Sequence, residues 1–254
     1  MHKLILGDGV EFMKTLPPAS VDMVLTDPPF GTTSNNWDSL IPVDPMFTEA
    51  RRVIKPGGAI AFHAKDRFSA TLIYNYSKYY KHRWIWHKRT PGNFAVAKHM
   101  PMSVDEDILI FTSGGERVNY CPLMVKGKER LRGSKSSTKF ARGFGGMEQV
   151  YYRSDEYYPQ SIITCPVVPR RASRHPSQKP VELVAYLIMT YTAPGETVLD
   201  FAMGAGTTIE ACIRTNRYGV GVEINPEIFA DTVAYLKEPS GRYNLNLLKS
   251  RGAL

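Results

Sequence analysis

Two short stretches of the chain combine residue types that could perform chemistry. In the first, TDPPFG, Asp27, Pro28, Pro29 and Phe30 directly follow the apolar run VDMVL. The prolines fix the backbone and leave the Pro28 carbonyl without a helical partner. A carboxylate and a carbonyl can accept the two N–H groups of a weakly nucleophilic exocyclic amine, while an aromatic ring stacks on the base. The group is interpreted as an amine-binding site, with a plain strand terminator as the alternative.

The second stretch, TVLDFAMGAGTTIEACI, predicts a ligand-binding turn between a strand and a helix. It leads from Asp200 through Gly204 and Gly206, where glycine lets the backbone pass close to a ligand. A dinucleotide fingerprint would need a third glycine at the position of Ile209, so NAD is disfavoured. Glu223 ends the run YGVGVE, where an acid can bond ribose hydroxyls. An adenosine-type ligand is predicted, with a tight turn and a solvated glutamate as the alternative.

The elements that must position these groups alternate along the chain. Short apolar runs predict seven strands, at 3–6, 21–26, 59–63, 84–87, 107–111, 197–201 and 218–223. Helical patterns lie between most of them, at 44–54, 66–80, 181–192, 207–215 and 226–237. This alternation predicts an α/β fold, a doubly wound sheet with helices on both faces.

Residues 113–174 interrupt the alternation and carry most of the excess charge. They hold twelve Lys and Arg residues against five Asp and Glu residues, so seven of the chain's eight net positive charges lie here. A basic stretch without periodicity predicts a partly mobile insertion that faces a polyanion. Residues 1–112 and 175–254 then form the two parts of the main domain. The residues assigned to phosphates are Lys126, Lys128, Arg130, Arg132, Lys135, Lys139, Arg142, Arg170, Arg171 and Arg174.

Composition argues against several other classes of protein. The chain has no apolar run of 18 residues, which argues against a transmembrane helix. Its three cysteines are far apart, and its histidines show no ligand spacing, so neither a disulfide framework nor a metal site is expected. These features predict a soluble intracellular protein.

Five motifs together carry a resemblance to a known family. TDPPFG, EARRVIKPGG, HPSQKPVEL, VLDFAMGAGTT and GVEINPEIF, in that order, resemble the DNA amino-methyltransferases that use S-adenosylmethionine. Their order is similar to that of the beta class, and the resemblance covers the chain except residues 113–160. It implies a circularly permuted, seven-stranded Rossmann-like methyltransferase sheet in which 107–111 is antiparallel. Residues 113–174 would be the inserted target-recognition region.

The resemblance also implies roles for individual residues. Asp27 and the Pro28 carbonyl would hold the target amine in the catalytic motif that Pro29 completes, and Phe30 would stack on a flipped-out base. The residues implied to bind the cofactor are Asp8, Asp27, His175, Lys179, Asp200, Phe201, Ala202, Gly204, Gly206, Thr207, Thr208 and Glu223. Helix capping is an alternative role for Asp8. The family's usual aromatic position falls at Ala202, with Phe201 one residue early, which leaves the aromatic contact to the cofactor open.

The function implied by the resemblance is site-specific DNA adenine-N6 methylation, because an Asp at position 27 is more usual among the adenine enzymes. Cytosine-N4 methylation and a catalytically silent DNA-binding relative are the alternatives. Double-stranded DNA is the implied partner, and a homodimer and a cognate restriction endonuclease are further candidates. We expect a cytoplasmic protein that is encoded by a bacterium, an archaeon or a phage.

Overall fold

A central sheet of eight strands forms the body of the molecule. The structure is a computed structural model that describes residues 2–29, 41–135, 149–175 and 177–237. The sheet strands are β1 (Lys3–Leu6), β2 (Val21–Thr26), β3 (Ile54–Ala64), β4 (Tyr80–His87), β5 (Asp105–Phe111), β8 (Ile162–Thr164), β9 (Thr197–Asp200) and β10 (Tyr218–Glu223). Their order across the sheet is β1-β10-β9-β2-β3-β5-β4-β8.

The seven predicted strands are all present in this sheet. Strands β1, β10, β9, β2 and β3 are mutually parallel, whereas β5 runs antiparallel to both β3 and β4. The predicted antiparallel direction of 107–111 is therefore confirmed. The short strand β8, which pairs parallel with β4, was not predicted. Strands β9 and β10, late in the chain, lie between β1 and β2, while circular permutation relative to other enzymes stays a prediction.

Helices cover both faces of the sheet, as the alternating pattern predicts. They are α1 (Gly9–Thr15), α2 (Val43–Val53), α3 (Asp66–Asn75), α4 (Val181–Tyr191), α5 (Thr207–Arg214) and α6 (Pro226–Lys237). Alternating strand residues face two separate cores, one shared with α4 and α5 and the other with α1, α2 and α3. The helix predicted over 66–80 is too long, because α3 ends at Asn75 and β4 begins at Tyr80. No helix in the described ranges is long and apolar enough to cross a membrane.

A separate two-stranded ribbon lies within the stretch predicted as an insertion. Strands β6 (Val125–Lys135) and β7 (Gln149–Tyr157) pair antiparallel with each other and form no ladder with the central sheet. No strand was predicted here, because Lys, Arg and Gly interrupt the apolar alternation by which strands are recognised. The division of the chain at residues 113 and 174 stays a prediction.

Candidate functional site

The two chemical motifs lie side by side because their strands are neighbours. β2 pairs parallel with β9, with Met23 opposite Val198, so both strands end at the same edge of the sheet. At that edge Asp27, Pro28 and Pro29 follow β2, and Asp200 ends β9. An open cleft of about 1440 Å³ spans this edge and is lined by residues of both motifs. Ligands of open α/β sheets bind at such carboxyl ends.

Nearly all of the residues predicted to bind a cofactor line this cleft. Those in its wall are Asp8, Asp27, His175, Lys179, Asp200, Phe201, Ala202, Gly204, Thr207, Thr208 and Glu223. Gly206 does not line it. Gly206 precedes α5 with a φ of 72°, and an added Cβ would lie 2.5 Å from Cγ2 of Thr232. Glycine at this position is therefore needed for close packing against α6.

The glycine turn is closed by the acidic end of β10. Glu223 is buried, and its carboxylate accepts hydrogen bonds from the backbone N–H groups of Gly204, at 3.0 Å, and Asn225, at 2.8 Å. Gly204 has a φ of 48°, and an added Cβ would point into open space. The turn therefore presents bare backbone to the cleft beside a fixed carboxylate, as a ribose-bearing ligand requires.

The Asp200 carboxylate forms hydrogen bonds on both sides of the same turn. Its carboxylate accepts from the Thr208 hydroxyl at 2.6 Å and from the Ala202 N–H at 3.2 Å. Burial raises the pKa of Asp200 to about 6, although these hydrogen bonds oppose the shift. Thr208 lies in the first turn of α5, so Asp200 connects the end of β9 to the start of that helix.

Two of the residues predicted to bind the cofactor also have structural contacts. The Phe201 ring is only 2% exposed and meets the Phe62 ring edge-on, with 6.3 Å between ring centroids. Phe201 also lies in the wall of the cleft, so its aromatic contact with a cofactor stays a prediction. Asp8 lines the cleft and also caps α1 by accepting from the Glu11 N–H at 2.9 Å.

Asp27 is held by an ion pair that the sequence did not predict. The Lys179 ammonium lies 2.7 Å from Oδ2 of Asp27 and 2.9 Å from Oε1 of Glu106. Although burial acts to lower it, the pKa of Lys179 is raised because both carboxylates favour the ammonium form. The predicted cofactor contact of Lys179 stays a prediction, while its ion pair with Asp27 connects the HPSQKP segment to the end of β2.

Glu106 is the centre of a buried cluster of charged and polar groups. It is 5% exposed and also contacts Lys88, through Oε2 at 2.8 Å, and Nδ1 of His63, at 3.0 Å. Burial alone would raise the pKa of the Glu106 carboxyl. The surrounding ammonium groups and the imidazole outweigh burial and hold that pKa well below its usual range. The available signal was a polar residue within or beside three apolar strands, in AIAFH, WIWHK and DEDILIF.

Several predicted residues fall outside the described ranges or away from the cleft. Phe30, Lys139 and Arg142 lie outside the described residues. Arg170 lines the cleft, and Arg171 is exposed beside it. Arg174 lies over the Tyr235 ring at 3.3 Å, which gives it a packing role. The other residues assigned to phosphates are on β6: Lys126, Lys128, Arg130, Arg132 and Lys135. All of these DNA contacts stay predictions.

An α/β fold whose cleft is lined by a glycine turn and by acidic strand ends is typical of ligand-binding α/β enzymes. Comparison with known proteins gives the family. The family model N6_N4_Mtase, described as DNA methylase, matches residues 21–234. The chain therefore belongs to this family of DNA methyltransferases.

Individual relatives agree with this assignment. The chain is 26% identical to the type II methyltransferase M.HpaI of Haemophilus parainfluenzae, covering 89% of this chain and 71% of the relative. It is also 26% identical to the DNA adenine methyltransferase YhdJ of Escherichia coli strain K12, covering 88% and 79%.

Solved structures show the same fold at lower sequence identity. The PvuII DNA methyltransferase, named as cytosine-N4-specific, matches with a TM-score of 0.64 at 14% identity, covering 98% of this chain and 92% of that one. The M1.HpyAVI–SAM complex matches with a TM-score of 0.60 at 20% identity, covering 92% and 99%. Both the adenine and the cytosine type are thus represented among similar proteins.

Proposed function

We propose that the protein transfers a methyl group from S-adenosylmethionine to the exocyclic N6 amine of a flipped-out adenine in double-stranded DNA. The observation that carries this proposal is that Asp27 and the glycine turn after β9 line one cleft. An acceptor for an amine and a seat for an adenosine-type cofactor are thereby adjacent. An exocyclic amine inside a duplex is out of reach, so the base must leave the stack.

The residues of the turn fit the proposed cofactor. Glu223 presents a carboxylate for the ribose hydroxyls, and the bare backbone at Gly204 allows close approach of the ligand. His175 and Lys179 line the same cleft, where a cationic or neutral donor can face the cofactor's carboxylate. When bound, S-adenosylmethionine supplies a methyl group on a positively charged sulfur.

The catalytic motif supplies hydrogen-bond acceptors for the target amine. The Asp27 carboxylate and the Pro28 carbonyl would accept the two N–H groups of the amine, and Phe30 would stack on the base. This binding directs the nitrogen lone pair at the methyl carbon. The new N–C bond forms as the electrons of the S–C bond return to sulfur, and the amine then releases one proton to solvent. No cysteine nucleophile is required.

Adenine is the proposed target because an Asp at position 27 is more usual among the adenine enzymes. In addition, the similar protein YhdJ is named as an adenine methyltransferase. Cytosine-N4 methylation is the second candidate, since the fold also matches an enzyme named as cytosine-N4-specific. The same two acceptors could hold the N4 amine of cytosine. The product nucleoside therefore decides between them.

The proposal is tested with unmethylated genomic DNA and cofactor labelled in its methyl group. We expect labelled N6-methyl-2′-deoxyadenosine after digestion to nucleosides, whereas labelled N4-methyl-2′-deoxycytidine would establish the second candidate. Asp27→Ala should lower transfer by about 1000-fold or more, because it removes an acceptor and leaves Lys179 with one partner fewer.

Asp107→Ala is the matched control. Asp107 is ion-paired with Arg83 at 3.2 Å, away from the cleft, so this variant should retain transfer. Absence of transfer by the wild type, or undiminished transfer by Asp27→Ala, would contradict the proposed function.

A further inference from the structure

The antiparallel direction of β5 brings Glu106 to the edge of the sheet at which Asp27 and the glycine turn lie. Strands β2 and β9 present their carboxyl ends there, whereas β5 presents its start. Glu106, the second residue of β5, pairs with Trp86 near the end of β4. Its side chain lies in the wall of the cleft that holds Asp27.

From this position Glu106 reaches Asp27 through Lys179. The Lys179 ammonium bridges the two carboxylates, at 2.7 Å from Asp27 and 2.9 Å from Glu106. Lys88 contacts the other oxygen of Glu106 at 2.8 Å, so two ammonium groups face two carboxylates. Such a buried cluster is tolerated only because its charges are paired, and the loss of one group unbalances the others.

We propose that Glu106 is a positioning residue for the transfer reaction, acting on Asp27 through Lys179. This inference rests on the proposed function. The ion pair occupies Oδ2 of Asp27, so Oδ1 is the oxygen that would accept from the amine. A lysine with one carboxylate partner could follow that partner through several rotamers, whereas a second carboxylate fixes its ammonium in place.

The surroundings of Glu106 are built to hold it still. Glu106 is 5% exposed, and the His63 ring contacts Oε1 while Lys88 contacts Oε2. Because a carboxylate only accepts, the proton of this contact lies on Nδ1 of His63. The His63 ring also meets the Trp86 ring at 86°, with 6.5 Å between centroids, which limits its rotation. His63 on β3 and Lys88 directly after β4 thus hold Glu106, and Glu106 holds the ammonium of Lys179 beside Asp27.

The first test is Glu106→Gln, which removes the charge at constant size. We expect kcat for DNA methylation to fall about 10-fold, with KM for DNA within about twofold, because small errors in the placement of a reacting group lower kcat. Asp107→Asn changes the next residue on the same strand in the same way, and its kcat should stay near that of the wild type. Equal kcat in the two variants would overturn the inference.

The second test asks whether Glu106 acts through Lys179. Glu106→Gln, Lys179→Gln and the double variant form a mutant cycle, measured for kcat and for the free energy of unfolding. We expect Glu106→Gln to change kcat by less than twofold once Lys179 is replaced. Independent, multiplicative effects on kcat would overturn the inference even if the variants are equally destabilised.

If Glu106→Gln does not fold, Lys88→Met replaces it in both experiments, since it removes the cation that holds the far oxygen of Glu106. A wild type that transfers no methyl group would instead refute the proposed function. The two failures are therefore distinguishable.

Discussion

Two ion pairs of nearly equal length show how differently the cleft and the β6–β7 ribbon use charge. Lys179 and Glu106 lie 2.9 Å apart with side chains 12% and 6% exposed. Arg153 and Glu129 lie 3.0 Å apart across the ribbon, with side chains 75% and 56% exposed. The first pair has lost its water, whereas the second remains solvated and is screened by salt. Distance alone therefore does not tell what an ion pair contributes.

The difference matches the roles proposed for the two regions. A transfer site must hold Asp27 in one geometry, which buried and mutually paired groups achieve. A surface that meets DNA must exchange water and ions for phosphates, which exposed basic groups allow. On the ribbon, Leu131 and Tyr151 are also largely exposed, at 65% and 58%, which suits a surface that meets a partner.

The largest expected effect on stability is that of replacing the buried acid of the cleft pair, compared with the equivalent change in the ribbon pair. Glu106→Gln should lower the free energy of unfolding by about 3 kcal/mol, because it leaves buried ammonium groups with too few anions. Glu129→Gln should change it by less than about 0.5 kcal/mol. Chemical denaturation of the two variants and the wild type measures both values. Equal destabilisation would show that the burial of the cleft pair does not matter.

A smaller effect is expected from the pH dependence of Asp200. Its folded pKa of about 6 exceeds the ordinary value of 3.8, so folding favours the protonated form. The stabilising contribution is therefore full below about 3.8 and is lost as the pH rises through 6. Relative to Asp200→Asn, the wild type should gain about 2 kcal/mol of unfolding free energy between pH 7 and pH 4. A difference that is constant with pH would contradict the assignment.

The smallest effect is expected from a single ribbon charge. Lys128→Ala should weaken DNA binding about threefold and reduce by about 1 the slope of log K against log salt, because one phosphate contact is lost. Binding of S-adenosylmethionine should not change. Lys78→Ala removes an exposed charge just before β4, at the edge of the sheet opposite to the cleft. This variant should leave the slope of log K against log salt unaltered. Equal slopes for both variants would argue against the ribbon as a DNA-binding surface.

The sequence predicted those parts of the molecule in which a local pattern determines the structure. Strands such as 197–201 and 218–223 are short apolar runs, and helix α5 follows a glycine turn, so periodicity and turn chemistry were enough. Helix α1 was missed because its seven residues include Gly9 and span only two turns. The ribbon was missed because its two strands pair only with each other. Charged residues also stand at positions of these strands where the apolar alternation of a strand would place apolar ones.

The candidate site was predictable to the same limit. Asp27, Asp200 and Glu223 were found because each ends an apolar run at a position where ligands bind. Glu106 was not, because its importance depends on Lys179, 73 residues away in the chain, and on the direction of β5. Contacts between distant residues follow from strand order and packing, which local patterns in a single sequence do not reveal.

The position of β9 and β10 between β1 and β2 has a consequence for biosynthesis. A ribosome releases β1 and β2 early, but the two strands cannot be joined in one sheet until residues 197–223 have emerged. Sheet pairings between such distant segments form slowly. The edges of β1 and β2 that receive β10 and β9 therefore stay open through most of translation, and a nascent chain exposes them to chaperones and to other nascent chains.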